Sequence, residues 1–188
     1  MTESADLCSR LGFAASRPNR AQFGMQRLGM TKAGSWVFQR TLYRIDRPLH
    51  RWSRGRITVP GTATGLPVIL LTTTGAKSGV ARTMPVAGIP DRHADPHDMF
   101  VMGTNFAQAK TPAWVRNLEA EPRCQVTWCD RSANAFALPV KDADEREYAW
   151  QQAASYYLGF TAYRERIQNR DVRIFRLTLS RGLGDSRS

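Results

Sequence analysis

The stretch Leu71-Thr72-Thr73-Thr74-Gly75-Ala76-Lys77-Ser78-Gly79-Val80-Ala81-Arg82 places an ammonium, a hydroxyl and a guanidinium close together around two glycines. Glycine reaches backbone angles at which successive N–H groups converge on an anion. Lys77 supplies a point charge, Ser78 a hydroxyl donor and Arg82 a planar fork that matches phosphate or carboxylate. The GxxxxGK[ST] spacing of a nucleotide-binding loop is absent. On its own the segment reads equally as an anion cradle or as a basic hairpin turn facing water.

A second segment, Val101-Met102-Gly103-Thr104-Asn105-Phe106-Ala107-Gln108-Ala109-Lys110-Thr111-Pro112-Ala113-Trp114, runs from strand through small and polar residues into a helix start. Free N–H groups at such a place suit a polar or anionic ligand group. Trp114 reads as core and Asn117 as a solvated helix residue. Further on, Tyr157, Phe160 and Tyr163 either wall a pocket or pack a helix onto the sheet. His93 and His97 share a loop with Asp91, Asp95 and Asp98. These are metal-ligand types. However, Pro96 interrupts the loop and no distant ligand is evident, so a solvated hairpin loop is the better reading and no metal is expected. Cys124 and Cys129 lie five apart, and Cys124 reads as a small core residue.

Several elements must hold these residues in place. Residues 67 to 74, PVILLTTT, are branched and apolar between Gly65 and Gly75, which predicts a strand. After the turn, residues 80 to 89 return as its hairpin partner, and 99 to 103 make a short third strand. Thr111 is expected as the N-cap of a helix with Pro112 in its first position, ending before Pro122. Residues 123 to 128 alternate, with Cys124, Val126 and Trp128 on one face. Ala135 to Val140 and Val172 to Leu179 are further strands, and Asp142 opens a helix running to about Tyr157. Regular strand–helix alternation is missing, which excludes a doubly wound parallel sheet. The order fits an α+β, mainly β fold: a barrel of about six mostly antiparallel strands with flanking helices.

The chain has 188 residues, 42% hydrophobic and 23% charged, which suits one folded domain. Its strongest apolar run, Val68 to Leu71, is far too short to span a membrane. Net charge is +11, and residues 1 to 60 carry eleven Lys and Arg against three acids. That asymmetry points to an anionic partner. Residues 1 to 33 are expected as a flexible basic arm. Residues 34 to 54 are expected as a basic amphipathic helix on the barrel, with Phe38, Leu42, Ile45 and Leu49 on one face. Residues 55 to 180 then form the barrel and 181 to 188 a tail. The basic helix suits weak attachment to an anionic membrane surface. No aromatic-interleaved basic strand supports nucleic-acid binding. Three cysteines without a CxxC pair, and no apolar leader, suggest a reducing, cytoplasmic setting, with a peripheral position at the inner membrane face.

Taken together, TTTGxKSGxxRxxP, GxNFxxxxxPxWxxNLxxxP and the strand VTW resemble the deazaflavin-dependent nitroreductase family over roughly residues 55 to 179. The resemblance implies a split β-barrel that binds coenzyme F420, a deazaflavin with an anionic tail, and reduces electrophiles with it. By this likeness Lys77, Ser78 and Arg82 hold the charged tail. Thr83, Pro85 and Val86 line the cofactor, and Met102, Gly103, Thr104, Asn105, Phe106 and Ala107 meet the deazaflavin ring. Trp36, Tyr157, Phe160 and Tyr163 form the expected substrate pocket. The best-known members carry a Tyr where Phe160 stands, and its hydroxyl assists reduction. A phenyl ring shapes and dries a pocket but donates no proton, so Tyr157, Tyr163 or water takes that role. The expectation is an F420H2-dependent reductase, monomeric or homodimeric, acting on a quinone, an activated alkene, a nitroaromatic or one biosynthetic intermediate. The alternative is a non-enzymatic split barrel that holds flavin, haem or lipid.

Overall fold

The computed structural model describes residues 6–14, 65–93, 98–167 and 169–180. In chain order these form helix α1 (Leu7–Leu11), strands β1 (Val68–Thr74), β2 (Ala81–Ala87), β3 (Ile89–Pro90) and β4 (Met99–Met102), and a 3-10 turn (Asn105–Ala107). Helix α2 (Ala113–Ala120), strands β5 (Arg123–Trp128) and β6 (Arg131–Pro139), helices α3 (Ala143–Tyr156) and α4 (Gly159–Arg166), and strand β7 (Ile174–Leu179) follow. The expected basic helix at 34 to 54, the pocket residue Trp36 and the tail lie outside the described residues.

The strands form a single sheet in the order β2-β1-β5-β6-β7-β4-β3. Every pairing is antiparallel. The first and last strands of that order are one stretch of chain, interrupted only at Gly88. Residues 81 to 87 pair with β1, while Ile89 and Pro90 pair with Phe100 and Met99 of β4. The sheet therefore curls back on itself, closed where β3 meets β4 and split where β2 parts from it. Gly88 sits at the switch because a Cβ there would lie 3.0 Å from Ile69 Cγ2. Pro85 is tolerated because β2 is an edge strand, bonded on the β1 side alone.

Period-two alternation fills the interior. Ile69 and Leu71 of β1, Cys124 and Val126 of β5, and Phe175 and Leu177 of β7 all point inward. On β6 the inward residues are Ala133, Ala135 and Ala137. Their small side chains leave space that α1 fills with Leu7 and Leu11, 0% and 1% exposed. Asp6 caps this helix by accepting from Ser9 N at 2.6 Å, and Gly12 ends it in the left-handed region. Residues 6 to 14 thus depart from the expected unordered arm. Helical periodicity needs more than five residues to show, and the burial is tertiary.

β4 is buried on both faces. Met99 and Val101 join the barrel interior. Phe100 and Met102 join a second cluster under α3 and α4, with Trp150, Tyr156, Tyr157, Phe160, Tyr163 and Ile174. The two ends of the loop after β3, Asp91 and Asp98, depart from the solvated reading, while Arg92 and His93 are exposed as expected and Asp95 and His97 lie outside the described residues. Asp91 is 1% exposed and meets Arg176 at 3.1 Å, and its N–H donates to Asp98 O. Burial pushes the Asp98 carboxyl up to about 6, against the opposing pull of Arg176. Among the described residues no group of three or more His, Cys, Asp or Glu could hold a metal ion. No described helix is long and apolar enough to cross a membrane.

Candidate functional site: a split edge between a basic turn and a strained loop

The β1–β2 turn is built from its own backbone. Gly75 N donates to Val80 O at 2.9 Å, and Gly79 N to Gly75 O at 2.8 Å with Gly79 at φ +66°. This leaves Lys77, Ser78 and Arg82 exposed. Neither Lys77 nor Arg82 forms an ion pair among the described residues, so both charges are available to a ligand. Ser78 Oγ accepts weakly from Val80 N at 3.4 Å. Along β2, Thr83 and Pro85 are exposed while Val86 packs on the core. The Thr83 hydroxyl meets that of Thr72 at 2.8 Å.

Across the split lies the loop after β4. Met102, Gly103 and Thr104 are buried, Asn105 and Ala107 half-buried, and Phe106 is 42% exposed. Thr104 is right-handed, yet Asn105, Phe106 and Ala107 follow with φ of 47°, 53° and 62°. Three consecutive left-handed residues with side chains cost of order 1 kcal/mol each or more. Such strain persists only where the surroundings impose it. A right-handed residue followed by a left-handed one forms a nest of N–H groups. Thr104 N is used by Met102 O, but neither the Asn105 nor the Phe106 N–H reaches an acceptor among the described residues.

The loop is held in three ways. Asn105 Nδ2 donates to Lys110 O at 2.8 Å. The Arg170 guanidinium donates to Gly103 O, Thr104 O and Gln108 O at 2.9, 2.7 and 3.1 Å. Gly103 lies against α2, where a Cβ would stand 2.8 Å from Val115 Cγ2. Two residues on, Asn117 Oδ1 accepts from Ala76 N at 3.0 Å. Helix α2 therefore braces the strained loop and the basic turn together. Asn117 is 7% exposed, not solvated as its polarity suggests. Helix α2 also begins later than expected, with the extended Pro112 rather than Thr111 in the cap position.

The aromatic trio comes together. Tyr157, Phe160 and Tyr163 have ring centroids 5.9 to 6.1 Å apart and are 4 to 8% exposed. Phe106 meets Tyr163 edge-on at 6.3 Å, joining the loop to α4. Burial pushes both tyrosine hydroxyls up, and each feels the other. Helix α4 and the Arg170 contact gave no signal in the sequence. A groove of about 710 Å³ on another face, between α2, β6 and β7, is lined by none of these residues.

What the residues present would fit is a planar ligand with polar edges and an anionic tail. Such a ligand's polar ring edges would suit the Asn105 and Phe106 N–H groups, its tail the exposed Lys77 and Arg82, and its ring the apolar surface of Phe106. A family model for the F420H(2)-dependent quinone reductases matches residues 42–178. An F420H(2)-dependent quinone reductase of Mycobacterium tuberculosis is 30% identical over 114 residues, 58% of this chain and 71% of the relative. A solved F420-H2 dependent reductase (FDR-A) superposes with TM-score 0.52 at 27% identity, covering 59% of this chain and 93% of the other. A solved domain-swapped dimer superposes with TM-score 0.53 at 26% identity, covering 78% of this chain and 99% of the other. The motifs, the split antiparallel barrel and the match over most of its length agree: the chain belongs to the F420H(2)-dependent quinone reductase family.

Proposed function

We propose that this protein is an F420H2-dependent reductase that passes a hydride to a small electrophilic acceptor, foremost a quinone. The observation that carries the reading is the family match over residues 42–178, within which fall Lys77 and Arg82, without an ion pair among the described residues, and the nest at Asn105. Bound reduced F420 supplies the hydride chemistry. The protein's residues bind and orient. Lys77, Ser78 and Arg82 hold the anionic tail. Thr83, Pro85 and Val86 line one wall, and the Met102 to Ala107 loop meets the ring. The covered rings of Phe160, Tyr157 and Tyr163 wall the acceptor side.

Tyr157 and Tyr163 are assigned a hydrogen-bonding part. Burial keeps both as neutral phenols, suited to stabilising an oxygen that gains charge while water supplies the proton. A quinone needs no more than this, so Phe160 in place of a hydroxyl is no obstacle. Activated alkenes and nitroaromatics are the further acceptor classes, and Trp36 is carried as a pocket residue on the family likeness. The setting proposed is cytoplasmic, as monomer or homodimer, with the basic stretch at 34 to 54 touching anionic lipid on the strength of its charge.

The test is a fluorescence titration with F420, followed by F420H2 oxidation with menadione. Saturable binding and acceptor-dependent oxidation support the reading. Absence of binding overturns it and favours a flavin, haem or lipid carrier.

A further inference from the structure

We propose that Arg170 is a positioning residue that sets the loop's peptide planes so that the Asn105 N–H faces the cofactor. The inference rests on the reading of that loop as cofactor-facing. Arg170 is half-buried in the segment between α4 and β7. Each of its three guanidinium nitrogens donates to a different loop carbonyl: Nη1 to Gly103, Nη2 to Thr104 and Nε to Gln108.

The geometry follows from peptide planarity. In a trans peptide the C=O and the next N–H point in opposite directions. Holding Thr104 O on Arg170 therefore turns the Asn105 N–H away from Arg170, toward the open side. The Gly103 carbonyl, held likewise, leaves the Thr104 N–H to bond Met102 O at 2.8 Å. Gln108 O anchors the far end, so the left-handed residues Asn105 to Ala107 are spanned by one rigid fork. A lysine has one nitrogen on a flexible stem and cannot bridge these separated carbonyls. The same loop rests Phe106 on Tyr163, so Arg170 also sets the cofactor side against the aromatic wall.

The experiment compares the protein with Arg170→Gln and Arg170→Lys. It measures F420 affinity by fluorescence, amide hydrogen exchange at Asn105 and Phe106, melting temperature, and kcat and acceptor KM at saturating cofactor. The expected result is a loss of F420 affinity of roughly tenfold or more in both variants. It comes with faster exchange confined to the loop, an acceptor KM unchanged and kcat lowered less than affinity. Wild-type affinity in Arg170→Gln overturns the proposal. So does full rescue by Arg170→Lys, which would make charge rather than the fork the cause. Faster exchange spread over β5 and β6 would reduce Arg170 to a general structural role and also overturns it. If the wild-type protein itself binds no F420, the reading of the loop falls first and this proposal with it.

Discussion

Asn117 accepts the backbone N–H of Ala76 at 3.0 Å across 41 residues of sequence and donates to the buried Thr73 hydroxyl at 2.9 Å. One amide thus ties helix α2 to the strand end and to the turn that carries Lys77. Asn117→Ala strands the Thr73 hydroxyl and frees the turn. The expected cost is about 2 kcal/mol in urea denaturation, accompanied by weaker F420 binding. Asn117→Asp keeps an acceptor for Ala76, and so retains more affinity than it retains stability. Equal behaviour of the two variants would contradict this division.

Lys77 and Arg82, unlike Asn117, brace nothing among the described residues. Both are exposed, and neither holds another part of the protein by an ion pair among the described residues. The double variant Lys77→Ala/Arg82→Ala is expected to lower F420 affinity by roughly a hundredfold with melting temperature unchanged. Its affinity should also depend less on salt than the wild type's. Unchanged affinity removes the tail from this turn.

The tyrosine pair gives a prediction in pH. Burial raises both hydroxyls above their ordinary value, so neither titrates near neutrality. Quinone reduction is therefore expected to be flat in kcat between about pH 6 and 9. Tyr163→Phe is expected to lower kcat/KM roughly tenfold or more, and Tyr157→Phe by less. A Tyr157→Phe/Tyr163→Phe variant with wild-type turnover would take both out of the chemistry.

The elements that carry the candidate segments are legible in the sequence because their signals are local. Gly75 and Gly79 bracket a turn, Asp142 caps α3 by accepting from Glu145 N, and Cys124 and Val126 alternate inward on β5 as their pattern requires. What escaped was set by distance in sequence. Arg170 meets its carbonyls 62 to 67 residues away, and no spacing rule links an arginine to a loop that far upstream. Asn117 looks like any polar helix residue until Thr73 and Ala76 arrive beside it. Helix α1 had its Asp6 and Gly12 caps in view, but only the alanines of β6 reveal the space that Leu7 and Leu11 fill. It also lies outside the 42–178 span of the family. The strand expected over 80 to 89 is divided at Gly88, where one stretch of chain serves two neighbours.

Asp98 carries a stability cost that depends on pH. Its carboxyl is raised from 3.8 to about 6, chiefly by burial. A group whose folded pKa is raised contributes stability that is present below the unfolded value and lost as pH rises through the folded one. The window is therefore pH 3.8 to about 6. Asp98→Asn is expected to gain about 1–2 kcal/mol at pH 7 and nothing at pH 3.5, read by denaturant melts at each pH. An equal effect at both pH values would show that the carboxylate's charge is not the cause.

The run from Ala81 to Pro90 is both the seam that closes the barrel and one lip of the split. Gly88 works as its pivot, packed so that a Cβ would stand 3.0 Å from Ile69 Cγ2 and 3.3 Å from Met99 Sδ. Among the described residues the width of the split is then set by the barrel wall. Substitutions at Ile69 or Met99, both buried inside the wall, would change aperture and wall packing together. In this architecture, the residues that hold the barrel shut also set how wide the split stands.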